Sequence, residues 1–264
     1  MLKYFYVTKN SLMEFLAYRL NFVLWRVRVV VSILITYFLW LAIYSGRDRI
    51  FNYTQGQMLT YIILLTFLSG VVLSTQTSRV AEEINSGNLS NYLIRPLNYL
   101  SFNLFRDLAD KLINTFFAII EMALILLIFR PHFILQTNPL NLFFFILSLI
   151  MAVILYFFIS LLLSFIGFWS REVWAPRFIF FILVAFLAGT YFPLDIVPRP
   201  IYALFELLPF TYLIFFPLKI YLGNINGFFL IKGFAVSFFW LIILYQLVKI
   251  VWQKGLKAYT AEGK

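Results

Sequence analysis

The longest uncharged stretch of the sequence, residues 133–170, contains no Asp, Glu, Lys or Arg over 38 positions. A helix needs about 20 apolar residues to cross a hydrocarbon core of about 30 Å. In the whole chain, 63% of residues are hydrophobic and 12% are charged, against roughly 45–50% and 25% in globular proteins. The sequence therefore excludes a water-soluble fold and predicts an all-α, polytopic membrane protein.

Charged residues divide the chain into six stretches that we interpret as membrane spans, at about 29–45, 58–75, 112–129, 142–169, 178–194 and 228–248. The third contains Glu121, and a charge at mid-bilayer costs roughly 2.5–3.5 kcal/mol on insertion scales. We therefore expect Glu121 to face protein or a polar pathway through the membrane. Two roles are open for it: contact with substrate or gating, and a structural link between helices.

The apolar stretch 198–221 is not counted as a span, because charges and prolines interrupt it too often. Pro209 and Pro217 each remove a backbone donor and break a helix, and Glu206 and Lys219 add charge. We expect two re-entrant half-helices, which are allowed in a membrane when they pack against protein. An ordinary interfacial loop is the alternative.

Lys and Arg are distributed unequally between the two sides of the predicted spans. The segments on one side, 1–28, 76–111, 170–177 and 249–264, hold 15 of them, and the other side holds six. The positive-inside rule then places both termini, including the tail 253–264, in the cytoplasm. We expect a multi-pass membrane protein, and we attribute the net charge of +10 to anionic lipid rather than to nucleic acid.

The segment 1–28 is predicted to carry an amphipathic helix. On a helical wheel, one arc of 120° contains only apolar residues, and Arg19, Arg26 and Arg28 lie outside it. The arc consists of Leu12, Met13, Leu16, Leu20, Val23, Leu24 and Val27. Such a helix suits the cytoplasmic interface; the alternative is that 10–28 simply extends the first span.

The polar segment 76–111 has the signals of a structured loop. Residues 79–85 continue as helix, Gly87 is a natural stop, and Asn88 or Ser90 can cap a short helix that ends before Pro96. We expect Ser101 to cap the next helix. The loop would present Leu89, Tyr92, Leu93 and Arg95 as a docking element for a soluble partner.

This loop resembles the one between the second and third spans of type-2 ABC exporter permeases. The matching residues, in the pattern E-x-x-S-G-x-L-x-x-x-L-x-R-P-L-N, are Glu83, Ser86, Gly87, Leu89, Leu93, Arg95, Pro96, Leu97 and Asn98. The resemblance extends over the chain, and includes the N-terminal helix, the six spans between 29 and 252, and the broken helices before the last span.

The resemblance implies that two such subunits, identical or related, form an export pathway in a bacterial cytoplasmic (inner) membrane and that each rests on a separate ABC ATPase. That partner would use ATP and Mg, and the helix at 84–95 would be the coupling helix that fits a groove in it. The implied docking residues are Glu83, Ser86, Gly87, Leu89, Tyr92, Leu93, Arg95 and Pro96. Relatives often carry charge in the first turn of this helix, where this chain has neutral Asn88, Ser90 and Asn91. No substrate is implied.

The sequence does not indicate that the chain catalyses a reaction by itself. The sequence contains no G-x-x-x-x-G-K-[ST] phosphate loop, no G-x-S-x-G and no H-E-x-x-H motif, and it has one histidine, His132, and no cysteine. We therefore expect a non-catalytic subunit without a metal site or a bound cofactor, so that an ATPase must act in trans. The alternatives are a secondary transporter or channel that needs no ATPase, and a membrane scaffold without transport activity.

Two charged groups lie outside the loop. Arg171, Glu172 and Arg177 form a tight cytoplasmic turn, either as positive-inside anchors or as a second contact with the ATPase. The other group, on the outer side, is either a lid over an exit route or a set of solvated loop charges: Asp195, Arg199 and Glu206.

Overall fold

A computed structural model describes the backbone of residues 2–17, 19–223 and 226–260, and side chains in 4–13, 23–223 and 226–260. The described chain is mostly helical. The α-helices are α1 Leu2–Ala17, α2 Arg19–Ile43, α3 Gln55–Leu68, α4 Ser78–Asn85, α5 Leu89–Leu93, α6 Tyr99–Phe129, α7 Pro139–Ser164, α8 Trp174–Leu187, α9 Arg199–Phe205, α10 Phe215–Tyr221 and α11 Gly227–Ala258. A hairpin of two short strands, β1 Arg49–Ile50 and β2 Tyr53–Thr54, precedes α3.

Within the described residues, five helical segments are long and apolar enough to cross a membrane: Val23–Ile43, Gln55–Asn85, Tyr99–Phe129, Pro139–Phe168 and Gly227–Ala258. The predicted fifth span, 178–194, falls on α8, which has 14 residues and is shorter than the roughly 20 that a span needs. The fold is thus a polytopic helical membrane protein, and the sixth span stays a prediction.

The N-terminal region differs from the predicted boundary at residue 28. α2 begins at Arg19 and continues without a break to Ile43, so Arg26 lies on the same helix as the first span. The side chains of Leu16, Arg19 and Leu20, which belong to the helical-wheel prediction, lie outside the described residues. α1 packs against α6, where the Thr8 hydroxyl donates to a backbone carbonyl at 3.1 Å.

The hairpin before α3 pairs its strands antiparallel, with Arg49 opposite Thr54 and Ile50 opposite Tyr53. Both residues of its two-residue turn, Phe51 and Asn52, have positive φ, as primed hairpin turns require. α3 then begins with a capping box: the Thr54 side chain accepts from the Gln57 amide, and the Gln57 side chain accepts from the Thr54 amide.

The main hydrophobic core lies where α3, α7, α10 and α11 meet. α10 is almost wholly buried, and Phe215, Phe216 and Leu218 have at most 1% of their surface exposed. The segment 198–221 therefore contains two short helices, α9 and α10, joined by a 3₁₀ turn at Pro209–Tyr212. α10 packs in the core, whereas α9 has no buried residue, so the re-entrant arrangement of this segment stays a prediction.

Candidate functional site

The connection between α3 and α6 contains the predicted docking element. After α4 the chain turns at Gly87, whose φ of 77° lies in the left-handed region that favours glycine. α5 follows and has only five residues. The range 84–95 implied for the coupling helix thus contains the end of α4, the left-handed turn at Gly87 and the short helix α5, and the stop at Gly87 is where the sequence predicted it.

Capping at this connection also differs from the prediction. Asn88 occupies the N-cap position of α5 without a side-chain cap hydrogen bond, and the Ser90 hydroxyl donates to the Gly87 carbonyl at 2.7 Å. Ser101 does not cap α6. The Asn98 side chain accepts from the Ser101 amide at 3.0 Å, so Asn98 is the cap.

Glu83 is buried at the base of this loop and is held by α6. Its carboxylate accepts from Arg106 at 2.6 Å and from the Tyr99 hydroxyl, and Arg106 also donates to the Asn103 side chain at 2.5 Å. A charge-assisted pair of this kind fixes the geometry of both partners. Glu83 thus anchors the loop to α6 instead of facing outwards, and the sequence did not indicate its two partners.

A second hydrophobic cluster supports the base of the loop. Leu89 has 0% of its surface exposed, although the sequence suggested it as a docking residue. It packs in a cluster drawn from α4, α6, α7 and α11, whose other buried members are Val80, Ile84, Tyr99, Phe157, Leu161, Phe165, Phe168 and Val248. Burial of a leucine side chain of this kind contributes about 1.5–3 kcal/mol.

The far end of the loop, residues 93–96, is exposed and largely apolar. Leu93 is 43% exposed and Ile94 is 83% exposed, and Arg95 and Pro96 are exposed beside them. We call these four residues the docking surface. Ile94 was missed in the sequence because it does not belong to the motif; its position between Leu93 and Arg95 was the available signal.

The remaining predicted docking residues lie around this surface. Ser86 is exposed, Gly87 is buried and Tyr92 is half-buried. The Arg95 guanidinium lies 5.1 Å from the centre of the Tyr92 ring, a cation–π contact that orients both side chains. Burial raises the pKa of Tyr92 and the nearby Glu83 carboxylate raises it further, so the tyrosine stays neutral.

The loop joins α3 through residues 74–77, which are not helical and which we call the hinge segment. It follows a π-helical turn, Ser69–Leu73, a geometry that is common at functional sites.

On α6, Asp107 accepts from the Thr75 hydroxyl at 2.7 Å and from the Gln76 amide at 3.0 Å. Lys111 donates to the carbonyls of Val72 and Ser74 at 3.0 and 2.6 Å. Both charged residues thus hold polar groups at the end of the π-helical turn and in the hinge segment.

Arg177 reaches the same hinge segment from α8. Its guanidinium donates to the Ser164 hydroxyl at 2.6 Å and to the Thr77 hydroxyl at 3.3 Å, and Ser164 donates to the Thr77 carbonyl at 2.7 Å. Thr77 also shares a hydrogen bond of 2.6 Å with Ser160. The hinge segment is therefore bonded to α6, α7 and α8 together.

This placement separates the three residues suggested as a second ATPase contact. Arg171 and Glu172 are exposed, whereas the side chain of Arg177 points into the hinge. The Glu172 carboxylate accepts from the amides of Trp174 and Ala175 at 2.8 and 3.2 Å, so it stabilises the start of α8.

Glu121 pairs with a cation that the sequence did not assign to it. The Arg26 guanidinium of α2 lies 3.2 Å from the Glu121 carboxylate, donates to the Asn114 side chain at 2.6 Å, and lies 5.1 Å from the centre of the Phe117 ring. The sequence interpretation missed this pair because it placed Arg26 on a separate interfacial helix.

A second polar cluster lies near the start of α3 and the end of α8, away from the hinge segment. Lys219 forms an ion pair of 2.7 Å with Asp195, and the Tyr53 hydroxyl donates to Asp195 at 2.9 Å. Lys232 pairs with Glu206 at 2.5 Å. Asp195 and Glu206 thus each pair with a lysine, although Asp195 is exposed, and the two predicted roles of this group stay open. Within the described residues, no group of three or more His, Asp or Glu is placed to hold a metal ion.

The long apolar helices define a polytopic α-helical membrane protein. The chain belongs to a family described as ABC-2 family transporter protein, whose model matches residues 30–263. This confirms the resemblance to type-2 ABC permeases, and supports a permease subunit, a class that generally works with an ABC ATPase. A search of curated proteins finds no significant match.

Proposed function

We propose that the chain is the membrane subunit of an ATP-driven exporter in a bacterial cytoplasmic membrane. Two copies, or one copy and a related chain, form the substrate pathway between them. Each rests on a separate ATPase, which binds ATP and Mg, and the docking surface on the connection between α3 and α6 contacts that ATPase. This chain supplies no catalytic residue.

The observation that carries this proposal is the contrast between the two ends of the loop. Its base is buried and fixed by Glu83 and Leu89, whereas Leu93 and Ile94 leave apolar surface exposed at the other end. Contiguous exposed apolar surface commonly marks an interaction site. An exposed apolar end on an anchored base suits a groove on a soluble partner, and Arg95 supplies a charge at its edge.

The hinge segment supports a route from the docking surface into the membrane helices. A displacement of α4 would act on Thr77, which is bonded to Ser160 and Ser164 of α7 and to Arg177 of α8. Asp107 of α6 holds the preceding residues. Coupling between sites is carried by such packed and hydrogen-bonded networks, so movement of the loop would be transmitted to three helices at once.

The test is recovery of the partner with the tagged full-length chain. The wild-type protein, purified from its native membrane, should retain an ABC ATPase that is identified by mass spectrometry, and the complex should hydrolyse ATP. Leu93→Asp or Arg95→Glu should lower the retained ATPase by about tenfold or more, because the first places a charge in the apolar contact and the second reverses the charge at its edge.

The matched control is Leu135→Asp, since Leu135 is 71% exposed and lies in the connection between α6 and α7, beyond the far end of α6. This variant should retain the ATPase. Unchanged retention in both loop variants, with normal amounts of each in the membrane, would contradict the docking assignment.

A further inference from the structure

Tyr259, the first residue after α11, contacts the turn between α4 and α5. Its hydroxyl donates to the Gly87 carbonyl at 2.6 Å and accepts from the Ser90 amide at 3.2 Å. One side chain from the last helix therefore bridges the left-handed residue of the turn and the first turn of α5. Amides in the first turn of a helix lack the regular intrahelical partner. The Ser90 amide donates to the Gly87 carbonyl at 3.3 Å, and the Tyr259 hydroxyl is its second acceptor.

The end of α11 is itself held closely against the supporting cluster. Trp252 stacks on Tyr99 with ring centres 5.1 Å apart and an interplanar angle of 12°. A Cβ added at Gly255 would lie 2.2 Å from the Phe168 ring, and the Tyr259 ring meets the same Phe168 edge-on at 6.3 Å. This close packing fixes where the Tyr259 hydroxyl lies.

The hydrogen bonds of the turn itself are local: the Ser90 hydroxyl and the Ser90 amide both donate to the Gly87 carbonyl, at 2.7 and 3.3 Å, so they do not tie α5 to another helix. α5 is five residues long, and helices of this length are marginal unless tertiary contacts stabilise them. Leu89 fixes the inner face of α5 by burial, which is non-directional. The two hydrogen bonds of Tyr259 are directional, so they set the rotation of α5 and hence the direction in which Leu93 and Ile94 face.

We propose that Tyr259 is a positioning residue of the coupling site, which holds α5 so that the docking surface meets the ATPase. The end of α11 is then part of that site, and a displacement of α5 reaches the last span directly as well as through the hinge segment. This inference rests on the proposed function, because it concerns the same contact with the ATPase.

Amide hydrogen exchange on the full-length chain in phospholipid nanodiscs tests the hydrogen bonds without an ATPase. Tyr259→Phe removes the hydroxyl and keeps the ring, and it should speed exchange in the peptide 86–95 by about 2- to 10-fold, the range of one net hydrogen bond. The control Tyr245→Phe, on an exposed face of α11, should leave that exchange unchanged. The peptide 135–145 is an internal reference.

The ATPase affinity tests the positioning role. The chain has no cysteine, so a single Asn91→Cys, at an exposed position of α5, can carry a fluorophore for titration with the copurified ATPase. Tyr259→Phe should raise Kd by about 2- to 10-fold at unchanged Tm, and Tyr245→Phe should not. A Kd equal to wild type, or unchanged exchange in 86–95, would overturn the inference. If the wild-type chain binds no ATPase, the proposed function fails, while the exchange experiment still decides whether Tyr259 holds the turn.

Discussion

Arg26 and Glu121 form an ion pair between α2 and α6, with the guanidinium nitrogen and the carboxylate oxygen 3.2 Å apart. Both helices are long and apolar enough to cross a membrane, and Asn114 accepts a further hydrogen bond from the same arginine. An intramembrane charge needs such a partner. The pair therefore sets how α2 and α6 lie against each other, and it gives Glu121 a structural role whether or not it also faces the pathway.

We expect Glu121→Leu to destabilise the protein by about 3–5 kcal/mol, because it leaves the Arg26 charge buried without its carboxylate. The double variant Arg26→Met, Glu121→Leu should recover most of that loss, since neither charge remains. Unfolding in bicelles, followed by tryptophan fluorescence, measures both changes. Equal stability of the single and double variants would show that the pair does not couple the two helices.

Gly87→Ala should destabilise the loop by about 1–2 kcal/mol, because an L side chain is strained at a φ of 77°. Gly87→Asn should be tolerated better, since asparagine visits the left-handed region more readily. The control is Gly227→Ala at the start of α11, where an added Cβ meets nothing within 4 Å. Limited proteolysis between α4 and α6 reports the loop directly, and equal cleavage of Gly87→Ala and wild type would disagree with this expectation.

Arg177→Gln should lower stability by about 1.5–3 kcal/mol, the range for a hydrogen bond to a charged group, since it removes the guanidinium from Ser164 and Thr77. Arg171→Gln, on the exposed side of the same turn, should leave stability unchanged. Thermal unfolding of the purified chain separates the two. If Arg171→Gln alone lowers ATPase retention, the exposed part of the turn is a second contact with the ATPase.

The stability of the hairpin region should fall at alkaline pH because of Tyr53. Burial and the adjacent Asp195 carboxylate raise the pKa of Tyr53 above its ordinary value of 10.0. The folded protein then keeps a proton that the unfolded chain loses, so stability is full below about pH 10 and decreases as the pH rises further. The slope for one such proton is about 1.4 kcal/mol per pH unit.

Tyr53→Phe should make this decrease shallower between pH 10 and 11, measured as Tm against pH. Tyr191→Phe, a substitution at a tyrosine that is 56% exposed, is the control and should follow the wild-type curve. Parallel curves for wild type and Tyr53→Phe would mean that Tyr53 does not hold its proton in the folded protein.

The linear sequence predicted the features that depend on neighbouring residues. Long uncharged stretches predict apolar helices because the bilayer requires a fixed length, and the described residues contain five such segments. Gly87 predicted the stop after α4, because a left-handed turn favours glycine. The motif around Gly87 predicted the family. These signals depend on residues that are close together in the sequence, so they can be recognised without knowledge of the fold.

Only the tertiary structure decided which residues meet. Glu83 and Leu89 belong to the same motif as Leu93, yet burial against α6 and α7 makes them anchors while Leu93 stays exposed. The partners Arg26 of Glu121 and Tyr259 of Gly87 lie 95 and 172 positions away along the chain. A local pattern carries no information on such pairs, because they are set by how whole helices pack. The direction that a side chain faces, and therefore its role, is determined at that level.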